Sequence, residues 1–289
     1  MNIPELFTRG KPVFSFEFFL PKAPEDLDAF IANVRELKAL DPSFVTLTYG
    51  AGGSGREKVI QTAGRIKAEV GIETACHLTC ITHTRAEIEA ILLQLKSLDI
   101  DHIVALRGDQ PKDGAVPPPD QRDFGYASDL VAFIKAKGGF KLAVAGYPET
   151  HPECPDPALD MDHLSAKVAA GGDWVVTQLF FDNKDYFDFV ARARKAGVTV
   201  PIVPGIMPVT GYAQLKRFTA LCGARLPAAL TERLEPIAGD PEAVIRLGIE
   251  YGARQCRELL DGGAPGIHFY TLNRSRSTAE ILGRLRKDA

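Results

Sequence analysis

The sequence has no apolar run near the roughly 18 residues that would suggest a membrane span. Its opening ten residues, M-N-I-P-E-L-F-T-R-G, lack the apolar core of a secretory signal, so a cytoplasmic location is expected. A surplus of charge is missing too: 34 basic against 37 acidic residues leave a formal net charge of −3. That gives no reason to expect nucleic acid or an anionic membrane as partner. Cysteine is sparse, with Cys76, Cys80, Cys154, Cys222 and Cys256 scattered in odd number along a long chain, which argues against a disulfide framework. Cys76 and Cys80 lie near His77 and His83, yet no second Cys/His pair has finger spacing, so no zinc is expected there. No linker divides the chain.

What is present is ordinary soluble composition, 45% hydrophobic and 25% charged, arranged in a regular alternation. Val13 to Phe19 reads as a strand with Phe14, Phe16 and Phe18 on one face and Ser15 and Glu17 on the other. Three phenylalanines ask for a layer of helices, which turns Glu17 toward the interior. Further strands are expected at 43–49, 74–80, 102–106, 142–147, 174–181, 202–206 (broken by Pro204 and Gly205) and 266–272. Helices are expected over 26–40, 56–70, 86–98, 127–137, 159–170 and 184–196, with two or three more within 212–260 and one after Ser277. Leu27, Phe30, Ile31, Val34 and Leu37 show the helical spacing clearly. Eight strands each followed by helix imply an α/β protein with a parallel sheet. At this length they favour a closed (β/α)8 TIM barrel, a single domain over residues 1–289.

Active sites of such barrels gather at the carboxyl ends of the strands. Glu17, Thr48, His77, Asp109, Tyr147, Gln178 and Tyr270 stand there. A carboxyl among phenylalanines is costly unless used, and desolvation is expected to raise its pKa and make Glu17 a general acid near neutral pH. The alternative is a buried Glu satisfied by a neighbouring Arg or Thr. The run Ile103 to Leu106 is a buried strand that ends in Arg107, Gly108 and Asp109, either a site or an ion pair closing the strand. Gly50 to Gly55 match G-x-G-x-x-G, but one strand already precedes them and Glu73 opens the next strand rather than ending it. A flexible loop explains these glycines better than a dinucleotide fingerprint. His151-Pro152-Glu153 orients a ligand or forms a turn, and Lys167 is a solvated charge or a phosphate partner. His102 is expected to face the barrel bottom and Trp174 to be core.

Taken in order, S-F-E-F-F at 15–19, T-Y-G-A-G-G at 48–53, H-L-T-C at 77–80, A-L-R-G-D at 105–109, Y-A-S-D-L at 126–130, Y-P-E-T-H-P-E at 147–153, T-Q-L-F-F-D at 177–182, P-G-I-M-P-V at 204–209 and H-F-Y-T-L-N-R at 268–274 resemble methylenetetrahydrofolate reductase of the bacterial type. The resemblance covers nearly the whole chain. It implies a barrel holding FAD, with NADH (or NADPH) as reductant and 5,10-methylenetetrahydrofolate reduced to 5-methyltetrahydrofolate, in one-carbon metabolism and methionine synthesis. Glu17 matches the family's proton donor, and Asp109 its carboxylate between flavin and folate. Gln178 resembles a second pterin contact. Thr48, His77, Arg107, Gly108, Asp109, Tyr126, Ala127, Tyr147, His151, Asp160, His163 and Lys167 fall on FAD-contacting positions. Tyr212 matches an aromatic that stacks on nicotinamide or folate, and Arg274 faces the folate's glutamate tail. Ala166 stands where some members carry a basic residue. Only a few residues precede the first strand, which leaves the barrel's bottom cap unassigned, and no regulatory domain is expected after the barrel. A homo-oligomer is expected. A barrel methyltransferase without redox chemistry and a folate carrier without turnover are the competing readings.

Overall fold

Each strand hands the chain to a helix that carries it back to the start of the next strand, and such crossovers make neighbouring strands parallel. The computed structural model describes residues 1–21, 23–48, 56–110, 116–273 and 275–287. Its strands are β1 (Val13–Phe19), β2 (Phe44–Thr48), β3 (Thr74–Thr79), β4 (His102–Leu106), β5 (Lys141–Gly146), β6 (Trp174–Thr177), β7 (Ile202–Val203), β8 (Gly205–Ile206) and β9 (Gly266–Tyr270). They form one parallel sheet in the order β7-β6-β5-β4-β3-β2-β1-β9-β8. β7 and β8 are two halves of one segment interrupted at Pro204, which has no N–H to give a ladder. The first half pairs with β6 and the second with β9, so this segment joins the two ends of the order and closes the (β/α)8 barrel. Pro204 still contributes as an acceptor, taking the His268 N–H at 2.9 Å. The break expected at Pro204 and Gly205 is therefore the seam.

The helices are α1 (Ile3–Leu6), α2 (Leu27–Lys38), α3 (Arg56–Arg65), α4 (Arg85–Ser97), α5 (Ala127–Lys137), α6 (Pro157–Ala169), α7 (Asn183–Lys195), α8 (Tyr212–Cys222), α9 (Ala228–Leu234), α10 (Pro241–Asp261) and α11 (Ser275–Lys287). Short polar side chains start several of them: Asp156, Asp182 and Asp240 accept first-turn N–H groups of α6, α7 and α10. Thr84 and Glu87 form a capping box on α4. The helix expected over 56–70 is not uniform. After α3 the residues Ile66–Val70 make a π turn, closed by Gly71 at φ +70°, whose N–H reaches back to the Ile66 carbonyl. The sixth strand also stops sooner than its apolar run suggests. Leu179, Phe180 and Phe181 are buried against helices rather than paired in the sheet. Apolar runs of that length do not distinguish a strand from packed loop.

The barrel interior is layered. Side chains of β1 alternate, so Phe16 and Phe18 join the helix-facing core, edge-on to Phe269 at 6.1 Å and Phe30 at 5.9 Å. Val13, Phe44, Ala75, Val104, Ala143, Trp174, Val176 and Val203 point inward from the strands and make an apolar floor. α1, which the periodicity of so short a segment did not disclose, plugs this floor with Ile3 and Leu6 and so supplies the bottom cap. His102 holds it in place by accepting the Ile3 N–H at 3.1 Å through Nε2. Trp174 is fully buried beside it, as expected of core.

An ionic knot sits under the floor. The Glu73 carboxylate, 5% exposed, lies 3.1 Å from both the Lys67 ammonium and the Met1 ammonium. Burial alone raises its pKa, but hydrogen bonds from His102, Lys67 and the Met1 ammonium outweigh that and hold it at about 2. A carboxyl lowered in the folded state adds stability that is present above its unfolded value near 4.5 and is lost as pH falls toward 2. Thermal unfolding followed against pH is thus expected to drop more steeply between 4.5 and 2 for the native protein than for Glu73→Gln. Parallel curves would remove this role for Glu73. Among the described residues, no helix is long and apolar enough to cross a membrane.

Candidate active site

Above the apolar floor the inward positions turn polar. Alternation on β1 places Ser15 and Glu17 inside, and parallel register sets Glu17 against Thr46 of β2 and Tyr270 of β9. Four side chains converge on the Glu17 carboxylate, which is 7% exposed. Thr48 Oγ1 donates to Oε1 at 3.0 Å and Thr46 Oγ1 to Oε2 at 3.3 Å. Two imidazoles share Oε2: His77 Nε2 lies 3.1 Å away, without the angle of a hydrogen bond, and His268 Nε2 at 3.3 Å. A carboxylate only accepts, so the proton of that second contact belongs to His268 Nε2. In a neutral ring its Nδ1 is then the acceptor for the Ser15 hydroxyl, 2.8 Å away. The result is a hydrogen-bonded line from Ser15 through His268 to Glu17.

This changes the expectation for Glu17. Desolvation does push its pKa up, but the close approach of the His77 ring and the hydrogen bond from His268 act the other way and prevail. The carboxyl is held well below the usual range. Glu17 is thus an ionised acceptor among donors.

The second group of side chains stands where β4 and β5 run out. Gly108, at φ +91°, turns the chain sharply after β4, and a Cβ there would meet Thr79 at 3.0 Å. Arg107 does not pair with Asp109. Its guanidinium forks onto Glu153 at 2.7 and 2.9 Å, tying the loop after β4 to the loop after β5. In that second loop Tyr147 packs edge-on to His151 at 4.5 Å, and His151 Nδ1 accepts the Glu153 N–H at 3.0 Å. Lys167 reaches from α6 across the Tyr147 ring at 5.9 Å to the Ala145 carbonyl at 2.7 Å. Its burial there lowers the ammonium pKa to about 8, against the pull of Asp160. Burial raises Asp160 and Tyr147, the latter to about 12. Tyr126 stacks on His163 at 5.9 Å, and Ala127 begins α5 directly after it. Asp109 is exposed, and its charge is felt at both Arg107 and Tyr147.

Of the residues named from sequence, Glu17, Thr48 and His77 therefore meet directly, and Arg107, Tyr147, His151 and Lys167 form a second cluster at the same end. Gln178 lies half-buried just past β6, its Oε1 taking the Leu179 N–H at 2.9 Å. Tyr212 stands apart from both clusters. It is buried with Leu179, Met207 and Leu215, and its hydroxyl donates to Glu235 at 3.0 Å. Arg274 and the glycine loop at 50–55 lie outside the described residues. Ser15, Thr46 and His268 were not singled out from sequence. The signal was there in the alternation of β1, β2 and β9, but the partners become visible only once the register is known.

The loop after β5 is also anchored on its far side. Glu149, with 8% of its side chain exposed, accepts the Arg225 N–H with both oxygens at 3.1 Å and its Nε at 2.9 Å, while Arg225 also bonds Asp185 at 2.7 Å. Arg225→Ala strands a largely buried carboxylate. Faster amide hydrogen exchange over 147–154 is the expected outcome, with Arg225→Lys intermediate because the fork is lost. Unchanged exchange in both variants would mean that the clamp does not hold the loop.

A buried acid wired to imidazoles at the carboxyl end of a closed parallel barrel is the kind of site that barrel enzymes use for proton transfer. The chain belongs to the methylenetetrahydrofolate reductase family, whose model matches residues 2–286. Among its relatives is the probable methylenetetrahydrofolate reductase (NADH) of Oryza sativa subsp. japonica, 40% identical over 295 residues, which are 98% of this chain and 50% of that protein. The chain thus spans about half the length of that relative. The 5,10-methylenetetrahydrofolate reductase of Escherichia coli (strain K12) is 37% identical over 277 residues, 96% of this chain and 92% of that one. A solved structure of an uncharacterized protein from Clostridium thermocellum that binds two copies of 5-methyl-5,6,7,8-tetrahydrofolic acid shares the fold, with a TM-score of 0.66 at 14% identity over 98% of this chain and 97% of that chain.

Proposed function

We propose that this barrel reduces 5,10-methylenetetrahydrofolate to 5-methyltetrahydrofolate, using bound FAD and NADH (or NADPH). Family membership supports the reaction, and the Glu17 cluster is the single observation in the site that carries it. The fit to a flavin dinucleotide rests on the second cluster. Lys167 and Arg107 are cations suited to its phosphates, Asp160 is a half-buried carboxylate suited to ribose hydroxyls, and Tyr147 and Tyr126 offer aromatic faces. Gly108 lets the backbone come close where a side chain would not fit. When bound, the flavin supplies hydride transfer from the nicotinamide to the folate.

The residues of the chain do the rest. Glu17 delivers a proton as the folate's five-membered ring opens, and Asp109 and Gln178 bind the pterin. Because the carboxyl of Glu17 is held ionised, it needs recharging before it can act as an acid. His268, hydrogen-bonded to it, is placed to return that proton when its ring carries both protons: Nδ1–H then donates to the Ser15 hydroxyl oxygen, Nε2–H passes to Glu17, and the neutral ring is recharged from solvent. Thr46 and Thr48 orient the carboxyl. Residues 1–289 form the catalytic domain in this reading, and its product would feed methionine synthesis.

The visible spectrum of freshly purified protein tests this. Flavin bands that bleach under anaerobic NADH and return on adding methylenetetrahydrofolate, with 5-methyltetrahydrofolate formed, are expected. A colourless protein without stoichiometric flavin would sink the proposal, and bleaching without folate-driven return would sink the choice of substrate.

A further inference from the structure

Two imidazoles approach the same oxygen of Glu17, yet only His268 meets it at the angle of a hydrogen bond. The next inward side chain along β9 accounts for that angle. Residues two apart share a strand face, so Tyr270 stands beside His268 on the mouth side. The rings meet edge to face, with centroids 5.2 Å apart and planes at 89°. In register Tyr270 is opposite Glu17, but its hydroxyl donates across the barrel seam to the Thr177 carbonyl at 2.7 Å. We propose that Tyr270 is a positioning residue: tied to Thr177, it holds the His268 ring at the angle from which Nε2–H passes to Glu17. This role rests on the folate reduction proposed above, in which Glu17 is the acid.

The seam is built to admit this bridge. The Pro204 carbonyl takes the His268 N–H at 2.9 Å, and Gly205 lies opposite His268 in register. A Cβ on residue 205 would stand 2.6 Å from the Tyr270 ring, 2.8 Å from its hydroxyl oxygen and 2.3 Å from the Thr177 carbonyl oxygen. The tyrosine thus occupies the space that a side chain at 205 would take. Gly205 N–H also bonds Thr177 Oγ1 at 2.9 Å, so Thr177 holds the seam with its hydroxyl and the tyrosine with its carbonyl. Of the contacts on the His268 ring, the one from Tyr270 is rigid. A hydroxyl rotates to suit its partner, so the Ser15 bond follows the ring rather than fixing it. Desolvation and the Glu17 charge raise the Tyr270 phenol well above its ordinary value, which keeps it a neutral donor. Tyr270→Phe keeps the ring but cuts the tie.

Two measurements on the purified protein test this. In the first, the proton on His268 Nε2 is followed by NMR and identified as the ring signal missing from His268→Gln. It is expected to shift, or to exchange too fast to be seen, in Tyr270→Phe. In the second, stopped-flow reoxidation of the reduced flavin by methylenetetrahydrofolate is timed in native protein, Tyr270→Phe, His268→Gln and the double variant. Tyr270→Phe is expected to slow it about 10–10²-fold, the scale of a misplacement of roughly 1 Å. Added to His268→Gln, the same change should cost less than roughly twofold more, because residues that act through one another are not additive. An unchanged His268 signal, its absence from the native protein, or effects that multiply in the double variant overturn the role, since Tyr270 would then act on its own. If the signal moves while native protein shows no folate-driven reoxidation, Tyr270 still sets the ring and it is the folate reaction that fails.

Discussion

Glu17→Gln is expected to lower folate-dependent turnover by about 10²–10⁴-fold, the usual share of a positioned acid, while NADH-dependent bleaching of the flavin stays close to native. The amide keeps the size of the side chain, its oxygen can still accept from one threonine and its NH2 can donate to the hydroxyl oxygen of the other, so the barrel interior should remain closed. What it loses is the capacity to pass a proton. In the proposed mechanism only the half-reaction that opens the folate ring calls on that capacity, because hydride transfer from nicotinamide to flavin would need no acid at this position. Stopped-flow measurement of the two half-reactions separates them. Equal losses in both would show that Glu17 supports the site's architecture rather than its chemistry. The wiring of the carboxylate sharpens the expectation: since the imidazoles keep Glu17 ionised, the proposed folate half-reaction is expected to depend on a proton that arrives through His268.

Gly248→Ala is expected to destabilise the protein by about 2 kcal/mol. In an exposed helix the same change would stabilise by about 1 kcal/mol, since alanine is the better helix former. Within α10, however, a Cβ on residue 248 would stand 2.0 Å from the Val209 carbonyl oxygen and 2.9 Å from its carbon. Neither is the end of a flexible side chain. The helix must back away from the segment between β8 and α8, and overpacking of this kind costs about 1–3 kcal/mol, occasionally more. The steric loss therefore outweighs the propensity gain. A fall of several degrees in the thermal midpoint is the measurable result, and Gly248→Val should leave little folded protein. A midpoint equal to or above the native one would mean that α10 has room to move. The same contact positions the segment leading to Tyr212, so a weaker apparent affinity for folate should accompany the loss of stability.

Much of this molecule was legible in its linear pattern because that pattern follows local periodicities. Strand and helix alternation determined the parallel barrel, the inward turn of Glu17 followed from three phenylalanines two residues apart, and the break in the seventh strand followed from a residue without an N–H. Thr48, His77, Tyr147 and Gln178 lie in or just past the carboxyl-terminal halves of β2, β3, β5 and β6, as the strand pattern implied, since parallel strands all finish at one end. Tertiary structure decided what depends on pairing across long separations. It joined His268 and Ser15 to Glu17 and reversed the expected direction of that carboxyl's pKa, because desolvation can be read from neighbours in sequence while two imidazoles from distant strands cannot. It gave Arg107 to Glu153 rather than Asp109, and it made a floor plug of α1, a helix too short to announce itself by periodicity. Alternation along a strand tells which way a side chain points; only the closed barrel tells what it meets there.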